Sequence, residues 1–304
     1  MMEEKVAISM AGVEQNRPHF KLGPLDLEVP AGYVTALVGP NGSGKSSTFR
    51  LLLDLAKPEK GTVTVLGKRV GGGDDVELKR RIGYLPENTN SFEDSLKAED
   101  KAAFVRQWYP DWDVNYYREL LRLFEIDSSL KLGKMSKGMR RKFELALALA
   151  HRPELLLLDE PSSGLDPIAW KKMIGVLHRH MERGDRTILI ATHIVEEVRR
   201  LADYIVFMDY GRVLGMYEKD ELLSSWSVLF VQGEGRPEWL LRTVPGAIRT
   251  EEAGGNVRIV TSRAQQAERW CESEGYRIVA RKMMELDDIL EAMMELEREG
   301  VRSS

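Results

Sequence analysis

Two patterns of apolar positions run along the chain. Through its first two thirds, short unbroken apolar runs recur: Tyr33–Val38 (YVTALV), Thr62–Leu66 (TVTVL), Ile82–Leu85 (IGYL), Leu155–Leu158 (LLLL), Thr187–Ala191 (TILIA) and Tyr204–Met208 (YIVFM). Runs this short predict strands, buried on both faces where no polar residue interrupts them. Between them, apolar residues fall at helical spacing over Ser47–Leu55, Val76–Arg81, Ile168–Arg183 and Ile194–Ala202. A further helix is predicted to open over Lys134–Arg141, continue through the strong helix formers of Phe143–Ala150 and end at Pro153. Strands alternating with helices predict an α/β fold around an open sheet. Lys5–Met10 and Phe20–Val29 read as strands joined by a polar turn over residues 11–19, and Tyr204–Met208 with Arg212–Met216 as a hairpin.

Two stretches depart from that rhythm. From Ser95 to about Phe124 the pattern is helical and aromatic, divided by Pro110, which predicts an inserted helical lobe within about residues 88–150. Its Trp108, Tyr109, Trp112, Tyr116 and Tyr117 read as core, and any of them left exposed in a patch would serve a protein partner. After a polar connector over 218–227, mostly helical through Glu218–Ser225, the predicted order becomes strand Val228–Gln232, helix Pro237–Val244, strands Ala247–Glu251 and Asn256–Val260, helix Arg263–Glu274, strand Tyr276–Ala280 and helix Leu286–Arg298. The βαββαβ order predicts a small ferredoxin-like α+β domain over 228–304, separate from an α/β domain over 1–217.

The chemistry concentrates first at Gly39-Pro40-Asn41-Gly42-Ser43-Gly44-Lys45-Ser46, which fits G-x-x-x-x-G-K-[ST], the P-loop pattern. A predicted strand precedes it and a predicted helix, beginning with Ser47, follows it. At a helix N-terminus the unpaired backbone N–H groups and the helix dipole favour anions, and glycines let the backbone wrap closely around phosphates. Lys45 is placed to reach β- and γ-phosphates, and Ser46 to ligate Mg²⁺. Phe20 or His19 could stack on an adenine ring; Phe20 could equally be core.

The second concentration is Asp159-Glu160, directly after Leu155–Leu158. Acids at the C-terminal end of a central strand lie where ligands bind in open α/β sheets. Asp159 takes the Walker-B position, suited to holding Mg²⁺ opposite Ser46. Glu160, one residue further, points differently and can polarise a water that attacks the γ-phosphate.

Taken together, KMSKGMRRKFELALALA, LLLLDEPSSGLDP and LIATHIVEEV resemble the ATP-binding subunit of an ABC transporter, over residues 5 to about 217. The resemblance implies ATP and Mg²⁺ as ligands, hydrolysis to ADP and phosphate, and a second ATP-binding subunit, identical or related, facing this one head to tail. Each ATP would lie between one chain's P-loop and the other's signature segment, here Ser136, Lys137 and Gly138. Ser163, Gly164, Leu165 and Asp166 match the D-loop, and His193 the switch histidine that senses the γ-phosphate. The chain departs from the usual pattern in three places. The signature reads MSKGM, Glu87 stands at the Q-loop glutamine, and Asn16 stands where the A-loop aromatic belongs. These departures resemble the branch that serves type-2 exporters, which implies an integral membrane permease as partner.

Composition narrows the alternatives. At net charge −4 there is no global basic balance calling for nucleic acid. A soluble ABC ATPase acting on ribosomes or nucleic acid is the competing reading. The segment between P-loop and signature is too short for a long coiled coil, and there is a single P-loop. A non-hydrolysing sensor is the third reading, disfavoured by intact Lys45, Asp159, Glu160 and His193. One cysteine, Cys271, allows no internal disulfide and suits a reducing cytosol. The sequence shows no secretory leader at MMEEKVAISM and no apolar run long enough to span a bilayer. The expectation is therefore a peripheral protein at the cytoplasmic face of a membrane, held there by its partner.

Overall fold

The computed structural model describes residues 5–73, 75–88, 90–232 and 237–302, with side chains described through Leu296. Residues 1–4 of the N-terminal segment and the last two residues of the C-terminal region lie outside the described residues. The chain divides into two compact units, residues 1–216 and 217–304.

The first unit contains two sheets. Strands β1 (Val6–Arg17) and β2 (Phe20–Pro30) form a long antiparallel hairpin, extended by β4 (Lys60–Val65) and the short β5 (Lys68–Arg69) in the order β2-β1-β4-β5. The predicted polar turn over 11–19 is therefore mostly strand. Only Pro18 and His19 turn, with Arg17 opposite Phe20 and His19 at φ 70°. Register shifts between Met10 and Val13 and between Val13 and Gln15 break the two-residue alternation that would have marked the strand. Its polar end is secured from outside the sheet: Gln15 Nε2 donates to the Lys57 carbonyl at 3.0 Å, and Asn16 donates to the Glu59 carboxylate from both its backbone N and its side chain.

The second sheet has β3 (Val34–Val38), β6 (Ile82–Leu85), β7 (Leu155–Asp159), β8 (Thr187–Thr192), β9 (Tyr204–Asp209) and β10 (Arg212–Glu218), in the order β10-β9-β3-β8-β7-β6. The pairs β9–β3, β3–β8, β8–β7 and β7–β6 are parallel. Every residue of β3, β7 and β8 is buried, as expected for parallel strands covered on both faces. One cluster packs Phe49, Leu51 and Leu52 of α1 (Lys45–Leu52), with Leu78 of α2 (Asp75–Arg80), against β3, β7 and the antiparallel sheet. On the other cluster lie α3 (Ala98–Arg106), α4 (Val114–Phe124), α5 (Lys137–Leu149) and α6 (Pro167–Met181). The helix α7 (Val195–Leu201) follows β8. Helix α5 begins at Lys137, not Lys134. Residues 132–134 form a 3₁₀ turn, and the Ser136 hydroxyl accepts from Met139 N at 3.1 Å, a cap worth about 1 kcal/mol.

The lobe's aromatics divide. Tyr117 is buried, Trp112 and Tyr116 pack on the core, and Tyr109 stacks on His151 at 4.0 Å. Trp108 stays exposed beside exposed Phe104.

The second unit starts with α8 (Lys219–Ser225), the helix expected within the connector. Then come β11 (Ser227–Gln232), α9 (Pro237–Thr243), β12 (Ala247–Ala253), β13 (Asn256–Thr261), α10 (Ala264–Ser273), β14 (Ile278–Met283) and α11 (Leu286–Arg302). Antiparallel pairing in the order β12-β13-β11-β14 gives the ferredoxin-like arrangement. Leu229, Val231, Val257 and Ile259 face Leu240, Ala267 and buried Cys271 in its core.

Candidate active site

Four adjacent parallel strands, β3, β8, β7 and β6, end at one edge of the sheet. Their ends deliver, in that order, the P-loop, His193, the Asp159-Glu160 pair and Glu87. The crevice outside the carboxyl ends of such strands is the general ligand position of open α/β sheets. Here it is a cleft of about 480 Å³ lined by Asn41, Gly42, Gly44, Lys45, Ser46, Ser47, Glu87 and Glu160, with Arg17, Pro18 and Phe20 on a further wall.

The loop's shape depends on Gly44. It sits at φ 112°, and a Cβ there would come within 2.7 Å of Leu22 Cδ1 and 2.8 Å of Met208 Cε. Gly39 and Ser43 are buried at the loop's base, while Pro40, Asn41 and Gly42 are exposed at its rim. Lys45 is buried, and its ammonium donates to the carbonyls of Gly39 (2.7 Å) and Pro40 (3.1 Å). Burial lowers its pKa, opposed by the charges of Glu160, Asp159 and Glu87.

Across the cleft, burial pushes the Asp159 carboxyl up to about 6; the Ser46 hydroxyl bonded to it pulls the other way, and Glu87 and Glu160 add to the rise. Its Oδ1 is buried without a hydrogen-bond partner. A hydroxyl and an under-satisfied carboxylate facing a phosphate loop are the hard oxygen donors Mg²⁺ takes, with nucleotide phosphates and water completing its shell. The residues present therefore fit the ion. Among the described residues no cluster of three or more His, Cys, Asp or Glu side chains is arranged to hold a metal by itself.

Glu160 is buried at φ 49°, a left-handed conformation uncommon for a non-glycine residue, just past the end of β7. His193 Nδ1 donates to its Oε1 at 2.8 Å, and the Thr192 hydroxyl approaches its Oε2 at 3.4 Å. Phe20 packs on the core, the second of the two roles weighed for it, and also forms part of the cleft wall. Exposed His19 is not among the lining residues, and Asn16 is held away by Glu59.

Ser136, Lys137, Gly138 and Asp166 do not line the cleft. Gly138 lies against the D-loop, where a Cβ would meet the Gly164 carbonyl at 2.7 Å, and the stem of exposed Lys137 covers Gly164. Asp166 caps α6, accepting from Ile168 N (2.9 Å) and Ala169 N (2.8 Å), and these N–H groups lower its pKa.

Sequence reasoning missed Arg141. Its guanidinium is buried beneath Glu160 and the Q-loop, and only main-chain carbonyls receive its hydrogen bonds. A double arginine after a helix cap carries no signal of where each side chain goes.

Cleft and sheet order define a P-loop nucleotide-hydrolysing protein. The ABC transporter family profile matches residues 22–163. The Nod factor export ATP-binding protein I of Rhizobium sp. (strain N33) is 32% identical over 277 residues, covering 86% of this chain and 88% of that one. The daunorubicin/doxorubicin resistance ATP-binding protein DrrA of Streptomyces peucetius is 36% identical, over 66% of this chain and 62% of its own. A solved ATP-binding subunit of an ABC transporter superposes with a TM-score of 0.65 at 28% identity, covering 72% of this chain and 92% of that one. This chain belongs to the ABC transporter family. It is an ATP-binding protein and an ATPase. Among the described residues no helix is long and apolar enough to cross a membrane.

Proposed function

We propose that this chain is the energy-supplying subunit of an exporter, closing with a second ATP-binding subunit around two ATP and driving a separate integral membrane permease. One observation carries the reading: the P-loop, Glu87 and Glu160 line one cleft, with His193 bonded to Glu160 and Asp159 to Ser46 beside it, while Ser136–Gly138 at the start of α5 do not line it. A phosphate held by the P-loop can meet Ser136–Gly138 only if a second chain supplies them. The relatives named for Nod factor export and daunorubicin/doxorubicin resistance support export as the direction.

In this mechanism the backbone N–H groups of Gly42 to Ser47 receive the phosphates. Lys45, now on loop carbonyls, turns to the β- and γ-phosphates. Ser46 and Asp159, with Glu87, would hold Mg²⁺, which would supply charge neutralisation for the transferring phosphoryl group. Phe20 supports the base. Glu160 orients the attacking water and receives its proton, and His193, already bonded to it, senses the γ-phosphate. Asp166, by fixing the start of α6, shapes the D-loop at the interface.

A groove of about 350 Å³ beside the lobe, lined by Leu53, Leu55, Tyr84, Val105 and Tyr109 together with Lys79, Lys101, Glu144 and His151, is where a cytoplasmic helix of the permease would dock. Exposed Phe104 and Trp108 extend the apolar surface of the lobe. That contact would hold the chain at the cytoplasmic face of the membrane. Residues 1–217 then form the ATP-binding domain, and the domain from 228 regulates or stabilises the dimer.

The test is co-purification of the tagged chain from its native cell after mild detergent extraction. A stoichiometric polytopic membrane protein is the expected companion. Recovery with ribosomes or nucleic acid, and no membrane protein, would replace the transport reading with the soluble one.

A further inference from the structure

Arg140 and Arg141 are adjacent on α5 but enter different environments. Arg140 belongs to an ionic cluster: it donates to Glu144 (2.8 Å) and Glu93 (2.8 Å), both of which also accept from Lys101 (2.9 and 2.7 Å). Arg141 accepts no such arrangement. Its Nε donates to the Pro161 carbonyl at 3.3 Å, one terminal nitrogen to the carbonyls of Pro86 and of Glu87 (3.2 Å), and the other to those of Asp159 and Glu160. A guanidinium has five N–H donors, and all of them are used on main chain.

These carbonyls share a position. Pro86 and Glu87 follow the last residue of β6, and Asp159 to Pro161 span the end of β7, where the parallel ladder between the two strands has just stopped. Beyond that point β6 and β7 no longer pair with each other, and what holds the β7 end is β8, where Asp159 pairs with Ala191 and Glu160 N donates to the Ala191 carbonyl at 2.9 Å. Glu160 is held there at φ 49°, a conformation that costs on the order of 1 kcal/mol or more in a free chain. A buried guanidinium is itself expensive to desolvate, and an apolar side chain of similar size would avoid that expense. Retaining the charge makes sense where carbonyls must be held at fixed positions.

We propose that Arg141 is a positioning residue for hydrolysis: by clamping the backbone on both sides of the cleft floor it aims the Glu160 carboxylate and sets its distance from Glu87. Arg141 does not line the cleft. It acts through Glu160, so the proposal rests on the assignment of Glu160 as the group that activates water. Since Arg141 lies just over one turn from Lys137, the helix that presents the signature to a partner's nucleotide also carries the clamp.

The experiment is a double-mutant cycle in the full chain, with Arg141→Met and Arg141→Lys made alone and with Glu160→Gln. The readouts are kcat, KM, affinity for a fluorescent ATP analogue, and thermal unfolding. The single variants are expected to lose about tenfold or more in kcat while KM and affinity change by less than about threefold. In the Glu160→Gln background the same substitutions should change the residual rate by less than about twofold, because the group they aim is already disabled. Full additivity, or a loss carried by KM and affinity alone, overturns the proposal. If Arg141→Met does not fold, Arg141→Lys, which keeps the charge and can reach some of the carbonyls, decides the cycle. A parental rate in Glu160→Gln alone would instead overturn the assignment of Glu160, which separates the two failures.

Discussion

His193 Nδ1 and Glu160 Oε1 are hydrogen-bonded at 2.8 Å, although the residues come from the ends of two different strands. The carboxylate sits on the histidine and the lysine of the P-loop sits on its own carbonyls, so both wait in internal contacts. Glu160→Gln keeps the shape and removes the proposed base. Hydrolysis should fall by about a hundredfold or more while ATP affinity is kept, and an ATP-bound dimer should accumulate on size-exclusion chromatography. Parental turnover in this variant would remove Glu160 from the mechanism.

Lys45→Ala takes away the one buried cation facing Asp159, Glu160 and Glu87 from the loop. Nucleotide binding should weaken by about a hundredfold, roughly 2.7 kcal/mol. Fluorescent-nucleotide titration checks it, and retained tight binding would contradict the placement of phosphates in this loop.

Gly138→Ala separates the cleft from the signature segment. The added Cβ would lie 2.7 Å from the Gly164 carbonyl, so the two segments must move apart. The isolated chain should bind ATP as before, since neither residue lines the cleft, while ATP-dependent dimerisation weakens by about tenfold. Sedimentation of this variant in a Glu160→Gln background would read the two effects separately.

Two histidines make stability depend on pH. Burial lowers both His151 and His180 to about 4; for His180 nearby Arg186, Arg183 and Arg152 add to the effect. Each folded-state pKa is depressed, so the unfolded chain binds more protons between pH 6.5 and 4. The contribution of each, on the order of 3 kcal/mol, is present above about pH 6.5 and lost as pH falls towards 4. Asp159 and Glu197, whose carboxyls are raised by burial, run in the opposite direction. The measurement is therefore a comparison: urea unfolding at pH 7.5 and pH 5, in which His180→Gln should lose less stability on acidification than the parent. An equal loss would show that His180 is not held neutral.

Much of the candidate site is legible without coordinates because its parts are contiguous. A phosphate loop uses successive backbone N–H groups, so Gly39–Ser46 declares itself by spacing between a strand and a helix. Asp159 and Glu160 announce themselves by following LLLL directly. The strand at residues 11–17 is hidden because its bulges erase alternation, and its polar side chains find partners at Lys57 and Glu59, far along the chain.

By itself, the sequence determined most of the elements, the phosphate loop, the acids at a strand end and the ferredoxin-like order of the C-terminal region, all of which follow from local spacing and periodicity. Only the tertiary structure decided that β3, β8, β7 and β6 lie side by side, so that Lys45, His193, Glu160 and Glu87 gather on one edge. Strand order is set by long-range packing of buried faces, and residue periodicity carries no record of it. The same holds for Arg141: its position on α5 follows from the helix, but the carbonyls it holds exist as a cluster only once β6 and β7 are paired.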